Sequence, residues 1–152
     1  MTYQTDSTSS ADTEQFARTL GSRLRGGEVI LLASDLGGGK TTFVRGMAAG
    51  MGSKDHVASP TFTIVREYRA GELTLYHFDF YRLQEPGIVA AELREFLDDP
   101  QAVVAIEWGD VVEDVLPARR LTIHIERTGD NTRRLRLQYP ESLAYLAPEE
   151  AR

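Results

Sequence analysis

Apolar positions along the chain change period several times, and each change marks an element. Phe16, Leu20 and Leu24, with Ala17 alongside, recur at helical spacing before Gly26-Gly27 end the pattern. They predict a helix capped by Asp12. Val29 to Ala33 is continuously apolar and reads as a buried strand. A glycine cluster follows, then a helix over about Thr41 to Gly50 with Phe43, Met47 and Met51 marking its buried face. Thr63 to Tyr68 alternates, Ala70-Gly71 looks like a turn, and Leu73 to Asp79 returns, which predicts a hairpin. Val89 to Leu97 suits a helix with Leu93, Phe96 and Leu97 on one face. Ala102 to Ile106 is a second continuous apolar run, so another central strand is expected. Leu121 to Ile125 and Arg134 to Leu137 alternate about a turn at Gly129-Asp130-Asn131. Residues 1–10, rich in Thr and Ser, read as a flexible arm, 11–139 as the domain, and 140–152 as a short tail or helix. Buried strands interleaved with helices predict an α/β fold: three layers around a mixed, mainly parallel central sheet with peripheral antiparallel hairpins.

Composition narrows the chemistry. At 152 residues the chain is one domain long. It has no cysteine and three histidines, which removes thiolate zinc sites and cysteine nucleophiles. A metal site is therefore expected to use oxygen ligands, which suit magnesium. The net charge of -6 argues against a solitary, non-specific grip on nucleic acid, which needs a basic face. Met1 to Glu14 lacks an apolar stretch, and Val29 to Ala33 is far too short to cross a membrane. No membrane association and a cytoplasmic location are the expectations. Of 17 basic residues only Lys40 and Lys54 are lysine, so a role for Lys40 as a compact point charge is suggested.

That lysine lies in the strongest motif, Ser34-Asp35-Leu36-Gly37-Gly38-Gly39-Lys40-Thr41, set between a buried strand and a helix. This is the context of a phosphate-binding P-loop. Glycines let consecutive backbone N–H groups turn toward a phosphate, and the helix N-terminus adds orphan donors and partial positive charge. The expected nucleotide contacts are Leu36, Gly37, Gly38, Gly39, Lys40, Thr41 and Thr42, with Lys40 on the β- and γ-phosphates and the Thr41 hydroxyl on magnesium. Ser34 stands where the motif has glycine. The sole asparagine, Asn131, precedes Thr132, so the Asn-Lys-x-Asp stretch of guanine-specific proteins is missing and ATP is the expected nucleotide.

Acidic partners are expected at the carboxyl ends of strands. Asp79 and Glu107 both qualify, and Glu107, behind the continuously apolar strand, is the better candidate for the metal. Against this stand a surface ion pair of Asp79 with Arg82 and a merely exposed Glu107. His77 reads first as a structural histidine. Trp108, the only tryptophan, is open between core packing and function. Ser59-Pro60-Thr61-Phe62-Thr63 is either a plain turn or a segment that meets the γ-phosphate.

Four blocks together resemble the bacterial TsaE family of P-loop ATPases in tRNA threonylcarbamoyladenosine biosynthesis. They are Asp35 to Gly46, Ser59 to Thr63, His77-Phe78-Asp79-Phe80-Tyr81-Arg82 and Ile106-Glu107-Trp108, with Leu116-Pro117 fitting as well. The resemblance runs from about Thr13 to Leu137. It implies magnesium-dependent ATP hydrolysis in partnership with TsaB and TsaD, slow alone, with tRNA met only through the complex. It places Lys40, Asp79, Glu107 and Trp108 in the catalytic set, and Thr41, Glu107 and Asp79 at the metal. Arg133 matches an arginine near the nucleotide, although Arg134 could serve instead. Ser34 and Glu92 depart from the family's glycines. Two other readings share the loop: a small-molecule kinase, for which 152 residues leave little room for an acceptor site and lid, and a nucleotide-gated module that hydrolyses little.

Overall fold

A computed structural model describes residues 1–34, 39–57, 65–81, 83–85 and 87–151. These form seven strands, β1 (Thr2–Ser7), β2 (Val29–Ala33), β3 (Val65–Ala70), β4 (Leu73–Asp79), β5 (Ala102–Glu107), β6 (Leu121–Arg127) and β7 (Arg133–Gln138). Three α-helices accompany them, α1 (Ser10–Gly21), α2 (Lys40–Met51) and α3 (Gly87–Leu97), together with 3-10 helices at Gly109–Val115, Glu141–Leu146 and Glu149–Ala151. The strands lie in one sheet in the order β1-β7-β6-β2-β5-β4-β3. The four central strands, β6, β2, β5 and β4, run parallel, and the outer pairs are antiparallel. The α/β architecture with a mixed sheet, parallel at its centre and antiparallel at its edges, is thus as expected.

The two continuous apolar runs became central strands because both of their faces are covered. In β5, Val103 and Ala105 enter the core beneath α1 and α2, while Val104 and Ile106 enter a second core with Phe78, Leu93 and Val112. The expected hairpin forms between β3 and β4, and Gly71 takes the positive φ of 64° that so short a connection requires.

Helices α1 and α2 approach almost backbone to backbone. A Cβ on Gly46 would stand 2.3 Å from the Glu14 carbonyl oxygen, and one on Gly50 would stand 2.0 Å from that of Arg18. Glycine inside a helix costs about 1 kcal/mol relative to alanine. Here that cost is offset by a contact no side chain would permit.

Three expectations are corrected. Residues 1–10 are not a loose arm, since β1 pairs along its length with β7. Tyr3 stacks on Phe16 at 6.4 Å, and Ser7 Oγ meets Thr13 Oγ1 at 2.5 Å in the interior. A Thr/Ser-rich run can form an edge strand when one face finds such partners. The cap of α1 is Ser9, whose side chain accepts from the Asp12 N–H at 3.0 Å, while Asp12 accepts from the Thr8 N–H. The arrangement resembles a capping box.

Nor is 140–151 a loose tail: of the two forms expected, the helical one holds, as two short 3-10 helices. Leu143 and Leu146 fall on one side of a three-residue-per-turn helix and are buried in the main core. The Tyr145 hydroxyl donates to the buried Glu28 at 2.6 Å, and the same carboxylate accepts from the N–H groups of Arg25 (2.8 Å) and Gly26 (2.7 Å). The two chain ends meet: the Met1 ammonium donates to the Tyr139 carbonyl at 2.7 Å, and the Tyr3 hydroxyl donates to Glu150 at 2.9 Å. No helix among the described residues is long and apolar enough to cross a membrane.

Candidate nucleotide site

Because β2, β4 and β5 are parallel, their carboxyl ends share one rim of the sheet, and α2 begins there. Strand alternation decides what faces α2. Glu107 continues the phase of Val103 and Ala105, and His77 and Asp79 continue that of Leu75. Register then sets Asp79 beside Glu107 and His77 beside Ala105 on adjacent strands.

Lys40 opens α2 and is only 7% exposed. Its ammonium donates to the Ser34 carbonyl at 3.1 Å, lies 3.7 Å from Glu107 Oε1 and stands 4.6 Å from the centre of the Trp108 ring. Glu107 is buried, and its Oε2 lies 2.5 Å from His77 Nε2. A carboxylate so placed requires partners, and it has a cation on one oxygen and an imidazole on the other. The exposed-strand-end alternative for Glu107 is therefore excluded.

Asp79 is half-buried and accepts from the Tyr81 N–H at 3.0 Å. Burial pushes its pKa above the usual carboxylate range. The Tyr81 N–H opposes that shift, and the neighbouring Glu107 charge adds to it.

Trp108 is not core packing. It is 36% exposed and takes a left-handed backbone (φ 58°, ψ 49°), alone in doing so among the described non-glycine residues. That conformation is uncommon for a bulky side chain. It sets the indole over Lys40 and against Tyr81, with ring centres 5.1 Å apart.

At the start of α2, Gly39 has φ 105°, which glycine takes without strain, and as the cap residue it offers no side chain to the first turn. Thr41 and Thr42 stand half-buried in this first turn. Arg133 lies beside it, its Nε 3.7 Å from where a Cβ on Gly39 would be, and its guanidinium donates to the carbonyls of Gly129 (3.2 Å) and Thr132 (2.8 Å). Arg134 instead pairs with Asp6 at 3.3 Å on the exposed sheet face. Of the two arginines, Arg133 is the one at the helix start.

Lys40, His77, Glu107 and Trp108 are thus brought into one contact network, with Asp79 next to it by register. Leu36, Gly37 and Gly38, the Ser59 to Thr63 block and Arg82 lie outside the described residues. Sequence reasoning missed two members, the Ser34 carbonyl that holds Lys40 and the ring of Tyr81. A backbone acceptor has no residue signature, and Tyr81 was readable only as part of its block.

Comparison with known proteins gives the family. The family model described as Threonylcarbamoyl adenosine biosynthesis protein TsaE matches residues 7–135. The Bacillus subtilis protein called tRNA threonylcarbamoyladenosine biosynthesis protein TsaE is 41% identical over 124 residues, covering 82% of this chain and 77% of the relative. The protein of that name from Treponema pallidum is 38% identical over 136 residues, covering 85% and 95%. The crystal structure of Bacillus subtilis YdiB superposes with a TM-score of 0.78 at 33% identity, covering 96% of this chain and 91% of that one. The chain belongs to the TsaE family.

Proposed function

We propose that this protein binds magnesium-ATP at the start of α2 and hydrolyses it as the accessory ATPase of tRNA threonylcarbamoyladenosine modification, in partnership with TsaB and TsaD. The observation that carries the reading is the buried Lys40–Glu107 pair, set between a glycine-started helix and the carboxyl ends of three parallel strands. Family membership supplies the biological setting. With a net charge of -6, the protein meets tRNA through its partners rather than alone.

The residues present fit magnesium. Among the described residues there is no cluster of three or more His, Cys, Asp or Glu that would cage a metal alone. Magnesium commonly takes one or two protein oxygens and completes its shell with phosphates and water. Thr41, Glu107 and Asp79 are the oxygen donors that would hold it. Bound there, the ion would neutralise charge on the β- and γ-phosphates.

The protein's own groups do the rest. Lys40 exchanges the Ser34 carbonyl and Glu107 for phosphate oxygens. The first-turn amides and the helix dipole favour the same charge. Arg133 stands ready beside Gly39 as a second cation. Asp79, beside Glu107 on the rim, assists at the metal or at the attacking water. A groove of about 640 Å³ runs from the sheet face away from α2, at Ala33, His124 and Arg136, to the rim, where Ser34 and Trp108 line it beside Lys40.

The test follows γ-labelled ATP with and without TsaB–TsaD. Label is expected as inorganic phosphate, with turnover rising when the partners are added, and Lys40→Ala should lower turnover at least 100-fold. Label on a small metabolite would overturn the ATPase reading in favour of a kinase.

A further inference from the structure

Granted the magnesium-ATP reading above, we infer that His77 is a positioning residue: its Nε2–H holds Glu107 Oε2 and leaves Oε1 as the carboxylate oxygen offered to the metal–nucleotide complex.

His77 is 0% exposed and its Nε2 lies 2.5 Å from Oε2. Its other nitrogen, Nδ1, is buried without a hydrogen-bond partner among the described residues. That orphan fixes the tautomer. A neutral ring with its proton on Nδ1 would bury an N–H donor with no partner among the described residues, which costs about 1–3 kcal/mol, and would leave Nε2 facing the carboxylate as a second acceptor. The neutral Nε2–H form leaves only a lone pair there. The hydrogen bond therefore runs from His77 Nε2–H to Glu107 Oε2.

The two carboxylate oxygens then have different fates. Oε2 is tied to a ring buried in β4, on the strand beside Glu107. Oε1 faces Lys40 at 3.7 Å, and Lys40 is the group that phosphates draw away. Nucleotide binding frees Oε1 and leaves Oε2 held. Fixing one oxygen also fixes the carboxylate plane, the service that outer partners of metal ligands perform elsewhere.

The test compares His77→Gln, His77→Asn and His77→Leu. Glutamine presents an N–H near the reach of Nε2. Asparagine presents one near the reach of Nδ1, too short for Glu107. Leucine presents none. The readouts are the affinity of a fluorescent non-hydrolysable ATP analogue in magnesium and in EDTA, and binding of Mn2+ to the nucleotide complex by electron paramagnetic resonance. Affinity in EDTA should stay within about twofold of wild type in all three. The gain from magnesium, and Mn2+ affinity, should fall about 10-fold or more in Leu and Asn, the usual scale for losing such a partner, and largely persist in Gln. An undiminished magnesium gain in Asn or Leu would overturn the inference, as would equal losses in Gln and Asn. Should the leucine variant fail to fold, the Gln–Asn contrast decides alone. A wild-type protein with no magnesium gain would instead strike the proposed function, and the inference with it.

Discussion

Glu28 is the residue whose removal should cost the most at the end of β2 opposite Lys40. It is wholly buried where β2 begins, and it accepts three hydrogen bonds, from Arg25 N, Gly26 N and Tyr145 Oη. Bonds to a charged group contribute about 1.5–3 kcal/mol each, but three on one carboxylate do not add, and partly buried donors recover some water. Glu28→Ala should therefore cost about 3–4 kcal/mol. At about 2–4 °C per kcal/mol for a domain of this size, Tm falls by roughly 10 °C. Tyr145→Phe removes one hydroxyl and should cost about 1–2 kcal/mol. Because the two groups touch, the double variant should fall short of the summed losses by about 1 kcal/mol or more. The assay is a denaturant-unfolding cycle of the four proteins, with nucleotide affinity measured alongside. Affinity should not change, since the length of β2, roughly 16 Å, separates Glu28 from Lys40. A Glu28→Ala loss below about 1 kcal/mol, or strict additivity with Tyr145→Phe, would refute the picture of one carboxylate tying the C-terminal segment to the sheet.

Three further expectations follow from the geometry. Asp79 has a folded-state pKa above the unfolded value, so its contribution to stability is full below the ordinary carboxylate range and is lost as pH rises through the folded pKa. Asp79→Asn should therefore raise the Tm of the ligand-free protein at pH 7.5, with a smaller gain at pH 4, while turnover falls; an unchanged Tm at pH 7.5 would contradict the shift. Gly46→Ala should lower stability by about 1–3 kcal/mol in thermal or urea melts despite alanine's better helix propensity, because the new methyl meets the Glu14 carbonyl. As the only tryptophan, Trp108 should report nucleotide binding by a change in emission when Lys40 leaves its ring, and Lys40→Ala should abolish that change at equal nucleotide concentration.

The parts of this protein legible in the sequence are those whose physics is local. Val29 to Ala33 and Ala102 to Ile106 had to be central strands, since an apolar run has no other way to bury both faces. The order strand, glycines, Lys-Thr, helix located Lys40, and the ends of apolar strands located Glu107 and Asp79. What escaped depends on distant partners. β1 reads as a polar arm until Phe16 and Thr13 are there to receive its inner face. Glu28 looks like an ordinary surface acid before a strand, and only Tyr145, far along the chain, makes it an anchor. His77 and Glu107 meet because β4 and β5 lie in one particular register, and no spacing within either segment encodes that. Gly46 and Gly50 look like blemishes in a helix until α1 is laid against them.

The meeting of the two ends at Tyr3–Glu150 and Met1–Tyr139 has a topological consequence. Segments near the two ends of the sequence lie against one another. Joining the ends by a short flexible linker and opening the ring at the Gly71-Glu72 turn would give a circular permutant that keeps every strand neighbour and leaves the span from Ser34 to Thr42 uncut. Native order of synthesis would then be reversed about the hairpin, with β4, α3 and β5 emerging before β2. Such a permutant would separate what the fold demands of sequence order from what it demands of contact.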